Sequence, residues 1–202
     1  MMVTSFEEQL RAGGKNQTPF LNPMKILKAI AIRVVVLAVI LIVVGFFLPS
    51  TYHVERSVTI IASSSEIYPY LNSLKKWPEW TAWTVAKYPD MKVSFEGPES
   101  GAGAIYNWDG KTSGQGTLKL TQSSPTNGVF FDLSFDHGKY LSKGSIVMEL
   151  SDDGVEVIWT NESDLGRNPV NRYFGLFMDR MMGPDFQQGL DNLKRKLETP
   201  TK

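Results

Sequence analysis

Cysteine is absent from all 202 residues of this chain. That excludes disulfides, thiolate nucleophiles and thiolate metal sites, and it leaves the redox compartment open. Histidine is nearly absent. His53 and His137 are the two copies, and neither has a partner at ligand or triad spacing. A zinc site, a Ser-His-Asp site and a bound cofactor are therefore not expected. Net charge is missing as well, since 21 Lys+Arg balance 21 Asp+Glu. Nucleic acid demands a basic face, so no nucleic-acid partner is expected. Gly101-Ala102-Gly103 precedes a strand rather than a helix and so lacks the context of a phosphate-binding loop. Neither repeats nor low-complexity tracts occur.

Charge is missing most conspicuously from one run. Val34 to Leu48 contains no charged or hydrogen-bonding side chain, and extending back to Ala29 adds only Arg33 to an otherwise apolar stretch. About 20 such residues cross the ~30 Å hydrocarbon layer as a helix. Arg33 lies near one end, where its long stem can reach the headgroups. A cleaved signal peptide would carry an Ala-x-Ala-like site after the apolar run, whereas this one ends Phe-Phe-Leu-Pro. An uncleaved anchor is expected over residues 25–49, with Ala29 to Leu48 as the part in the membrane. Lys25, Lys28 and Arg33 flank its N-terminal end, while Glu55 and Arg56 cancel beyond the other. The positive-inside rule leaves the N-terminus in the cytoplasm and sends the globular part across in a single pass. In a bacterium that places it in the periplasm or outside the cell. Residues 1–24, with Gly13-Gly14, read as a flexible tail.

Beyond the anchor the apolar period changes from helical to alternating. Tyr52 to Ile61 reads as a strand, and Ser63 to Glu66 carries a helix N-cap signature, with Ile67, Leu71 and Leu74 following at helical spacing. Six segments then alternate: Lys92–Glu96, Ala104–Trp108, Gly116–Thr121, Val129–Phe135, Ser142–Leu150 and Val155–Asn161. One apolar face per strand predicts an antiparallel sheet covered on one side. Asp109-Gly110, Asp136-His137-Gly138 and Asp152-Asp153-Gly154 are the predicted hairpin turns. After Pro169 the helical period returns, with Asn171 as the expected N-cap. Phe174, Phe177, Met178, Met181, Met182, Phe186, Leu190, Leu193 and Leu197 recur at steps of three and four. Gly183-Pro184 predicts a kink or break, because proline lacks the amide hydrogen and clashes with the preceding turn.

Three stretches carry a family likeness: ERSVTIIASSSEIYPYLNSLKKWPEWTAW, GPESGAGAIYNWDG and FGLFMDRMMGPDFQQGLDNLKRKLE. In this order they resemble the START/polyketide-cyclase-like (SRPBCC) superfamily, and within it the bacterial "polyketide cyclase/dehydrase and lipid transport" group. The likeness covers about Val54 to Leu197. It implies an α+β helix-grip fold over residues 52–198, in which a curved antiparallel sheet wraps around a long C-terminal helix. One transmembrane helix precedes it here. It also implies a deep cavity for a lipid or polyketide-like molecule. The expected wall is Phe95, Tyr106, Trp108, Phe131, Phe135, Met148 and Trp159 from the sheet, with Phe174, Phe177, Met178 and Met181 from the helix.

Three functions stay open on these residues. The first is a membrane-tethered binding protein for a hydrophobic small molecule. The second is a cyclase/dehydratase-type enzyme using a polar group such as Glu162, Tyr106 or Arg172. The third is an interaction module at the membrane surface, docking through Trp77, Trp80 and Trp83. The ligand's identity and the oligomeric state are not specified by the sequence.

Overall fold

The structure is a computed structural model, and it describes residues 23–199. Up to residue 22, the expected flexible tail falls outside the described residues. The chain divides into two units, one ending at Val43 and the other starting at Val44.

The first unit is most of helix α1, Pro23–Phe47. Its 25 residues rise about 1.5 Å each, so it is about as long as a bilayer's apolar layer is thick. From Met24 to Phe47 its mean hydropathy is 3.1 and almost none of its surface is covered by protein. It is apolar on all sides rather than on one stripe, a pattern shared by fully buried helices and membrane spans. One helix among the described residues is thus long and apolar enough to cross a membrane.

The second unit is a seven-stranded antiparallel sheet gripping a long helix. The strands are β1 (Thr51–Ile60), β2 (Lys92–Glu96), β3 (Ile105–Gly110), β4 (Gly114–Ser124), β5 (Gly128–Phe135), β6 (Tyr140–Ser151) and β7 (Gly154–Asp164). Their spatial order is β1-β7-β6-β5-β4-β3-β2. Between β1 and β2 lie helix α2, Ser64–Asn72, and a 3₁₀ turn, Leu74–Glu79. The Ser63/Glu66 capping box starts α2: the Glu66 carboxylate accepts from the Ser63 amide at 2.8 Å. After β7 comes helix α3, Pro169–Glu198.

Two turn expectations meet different outcomes. The β5–β6 turn is tight as predicted, with Asp136, His137 and Gly138 all at positive φ. Asp109-Gly110, by contrast, belongs to strand β3, and the turn is Lys111 to Ser113. Asp90, from the preceding loop, draws it tight by accepting from the Lys111 and Thr112 amides and the Thr112 hydroxyl. Those donors hold the Asp90 carboxyl below the usual carboxylate range, with the Thr112 hydroxyl the largest cause.

Helix α3 also departs from expectation at both marked points. Asn168, not Asn171, is the N-cap. Its side chain accepts from the Val170 amide at 2.9 Å, and Pro169 takes the first helical position, where a missing amide costs nothing. Gly183-Pro184 does not break the helix, which runs through it to Glu198. Pro184 sits on the exposed face beside an equally exposed Arg180, so the carbonyl it leaves unpaired can be met by water. Gly183 has its own reason. A Cβ there would meet the Arg56 guanidinium at 2.0 Å. Arg56 passes under the helix to bind Asp179 at 2.7 and 3.1 Å, fastening α3 to β1.

The two halves of α3 differ. In the C-terminal half, Phe186, Leu190 and Leu193 are buried. Asn192 donates to the Trp80 carbonyl, Lys194 to the Thr59 carbonyl, and Glu198 accepts from the Ile61 amide. In the N-terminal half, Val170, Phe174, Leu176, Phe177 and Met181 are all more than half exposed.

Candidate functional site

The clamped half of α3 closes one end of the space above the sheet, and aromatic rings do the closing. Trp159 on β7 stacks on Phe186 with ring centroids 4.4 Å apart and planes 6° apart. Trp77, Trp80 and Trp83 pack edge-on or tilted around Trp159 at 5.3 to 6.0 Å. Trp77 and Trp80 satisfy their indole N–H groups on the Leu71 and Tyr70 carbonyls. The three tryptophans of the WPEWTAW segment are therefore packed inward, with Trp80 fully buried. They bridge the short helices to the sheet.

Beyond this plug the space is open. A cavity of about 660 Å³ lies between the concave face of the sheet and the N-terminal half of α3. That is within the range of small-molecule sites, roughly 300–1,000 Å³. Sheet residues Tyr106, Trp108, Phe131, Phe135 and Trp159 border it, as do Phe174 and Met178 from the helix. Leu118 and Leu133, opposite each other across β4 and β5, add aliphatic wall. Two glycines shape the wall by their lack of a Cβ. Trp108 lies over Gly116, and Phe131 lies over Gly144, each pair directly opposite in the ladder. A Cβ at these glycines would meet the rings at 2.1 and 2.2 Å.

Four of the expected wall residues lie elsewhere. Phe95 on edge strand β2 borders a separate recess of about 90 Å³ and packs on Tyr106 at 5.3 Å. Met148 is buried in the core cluster. Phe177 and Met181 are exposed on the flank of α3. The geometry explains the last two. The row facing the sheet advances by four, through Phe174, Met178, Met182 and Phe186, and a step of three from Phe174 turns away from it. Met182 was on that row and is the helix residue that the spacing also offered.

The wall is mainly apolar, with Tyr52, Tyr106, Lys139, Ser142 and Asp164 among its polar side chains, and Asn161 lies behind it. Tyr52 donates to the Asn161 side-chain carbonyl at 2.9 Å. Asn161, fully buried on the inward face of β7, donates to the Ser142 hydroxyl at 3.1 Å and the Lys143 carbonyl at 3.2 Å. Burial pushes the Tyr52 phenol above its ordinary range, partly offset by Ser142. Strand alternation places Tyr52 with Val54 and Asn161 with Trp159, but nothing in the pattern marks the three side chains as a network. Tyr106 is different: its hydroxyl is buried with no hydrogen-bond partner among the described residues, and burial pushes its pKa up. An unmet buried hydroxyl is costly. Tyr106→Phe should therefore raise the unfolding free energy by about 1 kcal/mol, measured by urea titration of the ligand-free protein. A loss of stability would mean the hydroxyl is satisfied.

Two of the three candidate polar groups, Glu162 and Arg172, lie off the cavity wall. Arg172 donates to the Phe46, Leu48 and Gly166 carbonyls, and Glu162 faces His53 at 3.9 Å on the exposed side of the sheet. Among the described wall residues the one carboxylate is Asp164, and it is exposed. No cluster of His, Asp and Glu among the described residues is arranged to hold a metal ion.

Comparison with known proteins fits this geometry. No curated protein matches the chain. Among solved structures, the di-domain ARO/CYC StfQ from the steffimycin biosynthetic pathway aligns at 13% identity and a TM-score of 0.56, over 73% of this chain and 51% of that one. The di-domain ARO/CYC BexL from the BE-7585A biosynthetic pathway aligns at 12% identity and TM-score 0.52, over 75% and 52%. A structural-genomics target from Rhodobacter sphaeroides aligns at 13% identity and TM-score 0.52, over 75% and 95%. The chain thus spans about half the length of the two di-domain proteins, and at these identities the likeness is one of fold. A family model described as "Polyketide cyclase / dehydrase and lipid transport" matches residues 51–198, from the start of β1 to the last turn of α3. With a helix-grip fold and that match from β1 through α3, the chain belongs to the polyketide cyclase/dehydrase and lipid transport family.

Proposed function

We propose that this protein is a membrane-anchored binding protein for a hydrophobic small molecule, a lipid or a polyketide-like compound. The observation that carries the reading is the 660 Å³ cavity itself, walled mainly by aromatic and aliphatic side chains with hydroxyls among them and Lys139 and Asp164 exposed at its edge. Such a wall takes apolar bulk and orients it by one or two hydrogen bonds. Residues 25–49 serve as the anchor, residues 1–24 as a tail, and residues 52–198 as the binding domain. The N-terminus is cytoplasmic and the domain lies on the other face of a bacterial plasma membrane, in keeping with Lys25, Lys28 and Arg33.

Carriage is favoured over catalysis because acid/base work needs a positioned ionisable group in the cavity. The wall offers two exposed charged groups, Asp164 and Lys139, the latter ion-paired with Asp136 in the β5–β6 turn, and the phenols of Tyr52 and Tyr106, whose pKa values are raised, away from neutrality. A docking module would have no use for an open space of this size.

The test is binding of a fluorescent fatty acid to the detergent-purified full chain, with displacement by unlabelled lipid. Saturable, displaceable binding at about one probe per chain is the expected result. Absence of binding for fatty-acid, sterol and aromatic polyketide probes alike would sink the proposal.

A further inference from the structure

We infer that the cavity mouth is seated in the surface of the same bilayer that α1 enters, with Tyr140, Leu141, Phe174 and Phe177 among the lipid chains. Ligand then passes between membrane and cavity without crossing water. The inference rests on the anchor proposed above.

Three observations carry it. The first is the rim. Leu141 is 65% exposed, Phe174 63% and Tyr140 49%, yet all three border the cavity. Residues that both line a cavity and face solvent mark its opening. Phe177 at 55% and Met181 at 66% extend the same apolar surface along α3. Lys139 and Asp164, also exposed, border the opening beside them, as charged groups do at the edge of a lipid surface. Exposed apolar side chains gathered at an opening call for an apolar partner.

The second is where the chain leaves the apolar helix. Arg172, two residues before Phe174, donates to the Phe46 carbonyl at 2.8 Å and the Leu48 carbonyl at 3.1 Å. The Leu165 amide donates to the Ser50 carbonyl at 2.7 Å. A Cβ on Gly45 would come within 2.7 Å of the Pro169 Cβ, so only glycine permits that approach. The start of α3 and the cavity rim are thus fastened to residues 45–50, where an anchor would emerge from lipid. An apolar surface tied at that point meets the bilayer before any other partner.

The third is the division within α3. Its far half packs Phe186, Leu190 and Leu193 into the core and is hydrogen-bonded and ion-paired, while the half over the cavity leaves Phe174, at the rim, and Phe177, on the flank, more than half exposed. An amphipathic segment with Phe and Met on one side and Arg167, Arg172 and Arg180 beside it has the composition of a helix lying in a lipid interface.

The absence of cysteine makes the test clean. Single substitutions Leu141→Cys, Leu150→Cys and Val39→Cys, each labelled with an environment-sensitive fluorophore, are reconstituted as the full chain in vesicles of phosphatidylcholine and phosphatidylglycerol. Spin-labelled lipid is the quencher. Leu150 is 88% exposed and lies nine residues along β6 from Leu141, about 30 Å away. Loss of fluorescence at positions 141 and 39 but not 150 is the expected result. Quenching at 39 alone overturns the inference and leaves the anchor standing. Quenching at none overturns both. A label at 141 that shifts to the blue with protein concentration, without lipid quenching, means that a second copy covers the rim, and this too overturns the inference.

Discussion

Placing tryptophans at Leu133 and Met178 together should weaken binding of a fluorescent fatty acid at least tenfold, about 1.4 kcal/mol, while changing the unfolding free energy little. The two residues face the cavity from opposite walls, Leu133 from β5 and Met178 from α3. Both are half-buried, so each indole has open volume to enter rather than neighbours to displace. In a filled core the same enlargement forces side chains off their rotamers and costs about 1–3 kcal/mol per site. The pair therefore separates a ligand site from a packed interior in one experiment. Equilibrium probe titration and urea unfolding on the same preparation supply the two numbers. Strong destabilisation with unchanged binding would mean that the space is filled.

Trp159→Ala should be the most damaging single change, costing about 3–5 kcal/mol out of a typical total of about 5–15. Trp159 is 3% exposed, stacks on Phe186 and touches all three tryptophans of the WPEWTAW segment. Removing it opens a void bordered by β7, α3 and the 3₁₀ turn at once, and none of these can collapse into it without leaving its other contacts. Leu150→Ala, at an 88% exposed position, should move stability by less than about 0.5 kcal/mol. Near-UV circular dichroism during urea unfolding reads both. Equal effects would show that the aromatic plug is not what holds the two layers together.

The order of strands and helices is legible because strands such as β6 and β7 alternate cleanly and the terminal helix keeps its apolar period from Phe174 to Leu197. Binary pattern, however, gives a face and not a neighbour. It placed Trp159, Phe131 and Trp108 inward but could not show that Gly144 and Gly116 lie opposite the latter two, since ladder register is a property of paired strands. Phe177 and Met181 share the helix's apolar run with Phe174 and Met178, and only the crossing of α3 over the sheet decides which row of four faces inward. The uninterrupted helix at Pro184 follows from where that residue points, to solvent, and not from its identity. Arg172 is one of the polar groups that the sequence offers to a cyclase/dehydratase-type enzyme. The structure turns it instead onto the carbonyls of Phe46 and Leu48, a partnership between segments 124 and 126 residues apart that no local pattern encodes.

Native mass spectrometry of the full chain, released from detergent, tests the central claim most directly. The account predicts a population carrying one added mass in the range of a lipid or comparable apolar compound, and loss of that population in the Leu133→Trp/Met178→Trp variant. A wild-type chain that flies bare after purification from membranes, and stays bare after incubation with fatty acids, sterols and aromatic polyketides, would contradict it.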